Sequence, residues 1–241
     1  MSHSGEPVLP KAVLFDLDNT LTNRALSIER YVKCFLKDFG LVVHADSQAI
    51  LRLISQVDNG GYLKAGSAFS SIRQAVGHIL AHELAWSVAQ TPQTLSDHWQ
   101  THFPRSAVAM SGSELLVEEL SRRDIKIAVV SNGAESSRQS TVACLPFASH
   151  IDATFSSEKV GATKPALAIF LAAAEHLQVR PEECWFVGDH PVNDCLGACS
   201  AGMHAVWLRG FHDWPQEMGA APVSISSLNE VVGLLSVKCR R

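Results

Sequence analysis

The sequence predicts an α/β fold: a Rossmann-like parallel sheet with helices on both faces, plus an inserted all-helical domain. Three observations carry this. Short apolar runs at residues 13–15, 125–130 and 184–187 end in polar turn formers, as buried parallel strands do. From about residue 114 onward such runs alternate with helical patterns, and that alternation builds a parallel sheet. Between residues 22 and 104 the pattern is helical throughout, with no convincing strand.

The elements follow in order. Residues 1–10, rich in Ser, Gly and Pro, read as a loose lead-in, and strand one covers about 11–16. Ser27 is the expected N-cap of a first amphipathic helix carrying Ile28, Tyr31, Val32, Phe35, Leu36 and Phe39, with Gly40 as its stop. A second helix spans about 46–57 and is broken by Asp58-Asn59-Gly60-Gly61. A third covers about 67–87. A fourth starts at Thr91-Pro92, a cap followed by proline at the first helical position, and ends near His102. Phe103-Pro104 closes the block. The remainder alternates: helix 114–123, strand 125–130, a helix to about 145, and a short strand at 153–155. Lys164-Pro165 opens the next helix, strand 184–187 follows, then helix 194–201 and strand 204–208. A last strand is expected at 223–225 before a C-terminal helix. The predicted organisation is a core of residues 1–21 and 105–241 and a helical domain of residues 22–104.

Bulk properties exclude several function classes. A net charge of −4 and a pI near 6.2 argue against a nucleic-acid partner, which needs a clustered basic surface. No apolar stretch reaches the length of a membrane span. The start, MSHSGEPVLPK, lacks the apolar core of a signal peptide. The expectation is a cytoplasmic protein whose six cysteines stay reduced. Cys195 and Cys199, four apart on a helix, are read as inert thiols rather than metal ligands. Oligomeric state is not legible.

Polar groups collect at the strand ends. Asp16 and Asp18 end the first strand, Ser131 and Asn132 the second, and Asp189 the fourth strand, with Asn193 and Asp194 beyond it. Lys164 stands before a helix. In a parallel sheet these tips share one edge, where ligands bind. Two acids one residue apart repel each other and ask for a cation, a proton-transfer role, or both. Carboxylates with water suit Mg²⁺. A serine at a strand tip before a helix suits phosphate oxygens, and a lysine neutralises charge. This inventory matches phosphoryl transfer, in which a carboxylate can itself be the nucleophile. The spacing leaves open which of Asp16 and Asp18 would attack.

FDLDNTL, VVSNG, the Lys164-Pro165 pair and VGDHPVND, in this order, resemble the four signature motifs of the haloacid-dehalogenase-like (HAD) hydrolase superfamily. The resemblance runs from about residue 11 to 210, and the helical insertion resembles the superfamily's helical (C1-type) cap, which would close over substrate and set specificity. It implies an Mg²⁺-dependent phosphatase for a small phosphate monoester, of nucleotide monophosphate, sugar phosphate or phosphoglycolate type. By that resemblance Asp16 is the nucleophile, forming an aspartyl-phosphate. Asp18 is the acid and base, with its carbonyl on the metal. Ser131 and the Asn132 backbone bind the phosphoryl group, and Lys164 orients Asp16. Asp189 completes the metal site, with Asp194 a ligand through water or an outer anchor. The dehalogenase branch lacks an acid at the position of Asp18 and needs no metal. A phosphomutase of the same superfamily, or a catalytically idle phosphate-binding relative, is the alternative.

Other residues carry a plainer reading. His78, His82 and Glu83 look like half a zinc site but lack the HExxH order, and no metal role is expected of them. Arg24, Arg73 and Lys64 are candidates to reach a leaving group but are more simply helix-face charges. His190, beside Asp189, is a candidate to tune the pocket.

Overall fold

The computed structural model of the chain describes residues 9–39 and 46–236. The expected lead-in at 1–8, the Gly40 helix stop and Cys239 lie outside the described residues. The chain divides into two compact units, Met1–Leu21 with Ala109–Arg241, and Thr22–Val108.

Strand β1 (Ala12–Phe15) is wholly buried. The helical unit follows it. Helix α1 (Arg24–Asp38) is capped by Asn23, whose side chain accepts the Leu26 N–H at 3.0 Å. Ser27, the expected cap, instead lies inside the helix. Its hydroxyl donates to the Asn23 carbonyl at 2.7 Å and accepts the Val108 N–H at 3.0 Å. Either residue suits a cap; Asn23 takes the role because it is the one in extended backbone, at φ −87° and ψ 102°.

Helix α2 (Ser47–Asp58) is capped by Asp46 and ends at Asn59 in the left-handed region, φ 45°. Helix α3 (Ile72–Glu83) is shorter than the expected 67–87, because the serines before it cap and turn instead. Ser71 accepts the Gln74 N–H, and Ser67 accepts the Phe69 N–H. Helix α4 (Pro92–His102) is capped by Thr91 as expected. The apolar faces of these helices meet in one cluster that includes Tyr31, Phe35, Ile54, Leu80, Leu95 and Trp99. A buried ion pair adds to it: Arg24 grips Asp58 with two bonds, of 2.8 and 2.6 Å, and its guanidinium lies 4.9 Å over the Phe103 ring. Residues 105–108 belong to this unit, since Arg30 bonds the Ala107 carbonyl and Ser27 the Val108 N–H.

The second unit resumes with α5 (Ser113–Arg122), β2 (Lys126–Ser131), α6 (Glu135–Ala143), β3 (Ala153–Ser156) and the single turn α7 (Ser157–Val160). Then come α8 (Leu167–Leu177) and β4 (Cys184–Gly188). Lys164-Pro165 stands ahead of α8 rather than in it, because Ala166 is still extended, ψ 135°. A π-helical turn (Pro191–Leu196) runs into α9 (Gly197–Ser200), where a helix from Asp194 was expected. His190 caps this turn by accepting the Val192 and Asn193 N–H groups, which moves its start three residues back. Strands β5 (His204–Leu208) and β6 (Val223–Ile225) and helix α10 (Asn229–Leu234) complete the unit.

All six strands are parallel, in the order β3-β2-β1-β4-β5-β6. One face packs Leu14, Ala128, Val130 and Phe186 against Ile169, Phe170 and Ala173 of α8. Side chains alternate along a strand, so Val13, Phe15, Ile127 and Val129 point to the opposite face. They too are buried, as are Leu116, Val117 and Leu120 of α5, which contacts β2. The strand order reverses between β1 and β4, and that switch point is where open α/β sheets bind their ligands. Among the described residues no helix is long and apolar enough to cross a membrane.

Candidate active site

The carboxyl ends of β1, β2 and β4 bring the polar strand tips together. Asp16 follows β1 directly, and its N–H donates to the Val187 carbonyl at 3.0 Å, so the ladder to β4 fixes its position. Ser131 is the last residue of β2 and is 2% exposed. Asp189 follows β4, held by the Trp207 indole N–H, which donates to its carbonyl at 3.0 Å. Lys164 reaches in from the loop before α8.

Lys164 is the hub. Its buried ammonium donates to Asp16 Oδ1 at 2.6 Å and to Asp194 Oδ1 at 2.7 Å. Burial alone would push an ammonium toward neutrality, but Asp16 and Asp194 together outweigh it and hold Lys164 protonated. Asn132 places this lysine. Its side-chain oxygen accepts the Lys164 N–H at 2.8 Å, and its amide donates to the Lys164 carbonyl at 3.2 Å. Asp194 Oδ2 accepts the His190 N–H at 2.9 Å. Gly188 leaves the room: a Cβ there would run into the Asp194 carboxylate.

The charge balance is unfavourable without a cation. Asp16, Asp189 and Asp194 offer carboxylate oxygens within 4.8 Å of one another, all buried, against one ammonium. Burial pushes the Asp16 carboxyl up, with Lys164 opposing it and Asp194 adding to it. Burial likewise pushes Asp189 up, reinforced by Asp16 and Asp194. Neither buried oxygen of Asp189 has a hydrogen-bond partner among the described residues; His212 Nε2 lies 3.5 Å from Oδ2. A buried carboxylate left unbonded is costly, and an all-oxygen cluster of this kind suits a hard divalent cation. The cluster can therefore hold a metal ion.

Asp18 points elsewhere. Its Oδ2 accepts from Arg138 Nη1 at 2.7 Å, and the same Nη1 lies 3.3 Å from Ser131 Oγ. Gly133, at φ 140°, allows this: a Cβ there would press on the guanidinium, 3.2 Å from Nε. Arg138 was missed in the sequence. The available signal was an arginine in the first turn of α6, where the helix dipole favours acids instead.

The other candidates do not join this cluster. Arg24 is held by Asp58, Arg73 donates to Gln100, and Lys64 is exposed in a loop, all within the helical unit. His82 bonds the His78 carbonyl, and neither belongs to a metal-competent group among the described residues. Nor do Cys195, which is buried, and Cys199, which is exposed. The five described cysteines form no disulfide.

An open parallel sheet with buried carboxylates and a lysine at its switch point defines an enzyme of the Rossmann-like α/β class. The chain belongs to the haloacid dehalogenase-like hydrolase family, whose family model matches residues 13–208. A phosphoserine phosphatase of Thermus thermophilus is 33% identical over 121 residues, covering 49% of this chain and 48% of that enzyme, about half its length. A ribulose-1,5-bisphosphate 5-phosphatase of Halopiger xanaduensis is 26% identical over 81% of this chain and 83% of its own. Among solved structures, the HAD-hydrolase YfnB of Bacillus subtilis, bound to magnesium, superposes with a TM-score of 0.70 at 18% identity. It covers 95% of this chain and 100% of its own. Dehalogenases and a phosphatase share the fold as well. The chain is accordingly a hydrolase and, at the level of the family, a phosphatase.

Proposed function

We propose that this hydrolase cleaves a small phosphate monoester through an aspartyl-phosphate, with Mg²⁺ bound by the buried acids. The observation that supports it most is the Lys164 bridge between Asp16 and Asp194. It ties up Asp16 Oδ1 and leaves Oδ2 as the attacking atom. Oδ2 attacks phosphorus, the bond to the leaving oxygen breaks, and that oxygen takes a proton from Asp18. Water then loses a proton to Asp18 and attacks the phosphorus, and the Asp16–phosphorus bond breaks to release phosphate. Ser131 and the backbone of Asn132 hold the phosphoryl oxygens during both displacements, and Lys164 offsets charge on Asp16 throughout.

Asp16, Asp189 and the Asp18 carbonyl would hold the metal, with Asp194 outside them or joined through water. Bound there, Mg²⁺ supplies charge neutralisation for the transferring phosphoryl group. Asp18 carries the choice of a phosphatase over a dehalogenase. The relatives' phosphorylated substrates support a small, polar metabolite. The helical unit occupies the place in the chain of the superfamily's cap, and we assign it that role.

The test is a panel of phosphorylated metabolites, ranked by kcat/KM with and without Mg²⁺, on the wild-type chain and Asp16→Asn. Mg²⁺-dependent release of phosphate that disappears in the variant, with the circular dichroism spectrum kept, is expected. Retained turnover in Asp16→Asn would overturn the assignment.

A further inference from the structure

The helical unit holds a second group of metal-competent side chains, chemically unlike the first. Cys34 and Asp38 lie four apart on α1, and His98 and His102 four apart on α4. That spacing puts each pair on one helix face. Each residue offers one donor atom, and all four donors lie within 4.8 Å of one another.

Three separations are resolved. Cys34 Sγ lies 3.3 Å from Asp38 Oδ2 and 3.6 Å from His102 Nδ1, and His98 Nε2 lies 3.2 Å from the same Asp38 oxygen. Zinc bonds of about 2.3 Å to sulfur and about 2.0–2.2 Å to nitrogen and oxygen, arranged tetrahedrally, place neighbouring donors roughly 3.4–3.6 Å apart. These three of the six donor separations lie close to the edges of a zinc tetrahedron, and the other three lie within 4.8 Å.

The surroundings agree. Tyr31, whose ring is buried in the helical core, meets His98 Nδ1 through its hydroxyl at 2.9 Å and so aims Nε2 into the group. Metal-bound histidines commonly have their second nitrogen held in this way. The His98 and His102 rings stack at 4.2 Å, an arrangement two imidazolium ions would resist. Cys34, His98 and His102 are partly buried and Asp38 is exposed, so an ion can enter from solvent.

We propose that Cys34, Asp38, His98 and His102 form a zinc site that staples α1 to α4. The thiol loses its proton on binding and the ion replaces the internal hydrogen bonds. The site is independent of the phosphatase reading, because none of its residues lies in the acidic cluster.

Cobalt(II) separates the two sites in the full-length chain. An all-oxygen cluster gives no sulfur-to-cobalt charge-transfer band, whereas this site gives one in the near ultraviolet with strong tetrahedral visible bands. One equivalent of Co²⁺ should develop these bands, and Zn²⁺ should displace them. Cys34→Ser should lose the near-ultraviolet band. Tyr31→Phe should keep it but bind about 10–100-fold more weakly. Zinc should also protect Cys34 from alkylation, read by peptide mass. Absence of the band in the wild-type chain, its persistence in Cys34→Ser, or alkylation of Cys34 unaffected by zinc would each overturn the proposal.

Discussion

Arg138 Nη1 donates to Asp18 Oδ2 at 2.7 Å, across 120 positions of sequence. While that bond stands, Asp18 cannot hand a proton to a leaving group. Phosphoryl oxygens beside Ser131 would compete for the guanidinium and release the acid. Arg138→Ala should therefore raise KM for a phosphate monoester more than it lowers kcat. Loss of a charged hydrogen bond worth about 1.5–3 kcal/mol corresponds to roughly 10–150-fold in KM. Steady-state kinetics on the two chains checks this, and an unchanged KM would remove Arg138 from the phosphate site.

Gly188 sits where the Asp194 carboxylate needs room. In Gly188→Ala the new methyl group must displace Asp194, which breaks the anchor of Lys164. Overpacking at such a site costs about 1–3 kcal/mol. The expected outcome is a lower urea midpoint together with a loss of kcat, measured on one preparation.

Metal binding and pH are linked through Asp16 and Asp189. Both carboxyls titrate above their unfolded value of roughly 4 in the metal-free protein. A raised folded pKa contributes stability below the unfolded pKa, and that contribution is lost as pH rises through the folded value. The metal-free chain should thus lose this contribution on going from acid to mildly alkaline solution, while a divalent cation offsets the repulsion. The rise in Tm on adding Mg²⁺ should be larger at alkaline than at acid pH. Differential scanning fluorimetry over a pH series reads it, and a shift that falls with pH would contradict it.

Arg24 and Asp58 are 5% and 1% exposed and make a two-bond pair within the helical unit. Removing one partner leaves the other charge buried. Asp58→Ala should cost about 3–5 kcal/mol of stability in that unit. Replacing both residues with apolar ones of similar size should cost much less. Chemical denaturation of the single and double variants distinguishes the two.

Much of this was legible along the chain. Apolar runs ending in polar tips marked the strands that β1, β2 and β4 occupy, because a buried parallel strand needs a continuous apolar run. Thr91-Pro92 marked the start of α4, because a hydroxyl followed by proline satisfies a helix N-terminus locally. Where two local solutions competed, sequence was insufficient. Asn23 rather than Ser27 caps α1, since the choice depended on the backbone entering the helix. His190 begins the turn at Pro191, since its ring nitrogen accepts two N–H groups there.

By itself the sequence determined the fold class, the family and the identity of the strand-tip acids, because each is written in short contiguous patterns. Only the tertiary structure decided how they are wired. It made Asn132 the clamp on Lys164, split Lys164 between Asp16 and Asp194, and set Arg138 against Asp18. It also brought Cys34 and Asp38 to His98 and His102. These contacts join residues from 30 to 148 positions apart. Hydrogen bonds and charges act over a few ångströms of space, and folding alone sets which groups come that close.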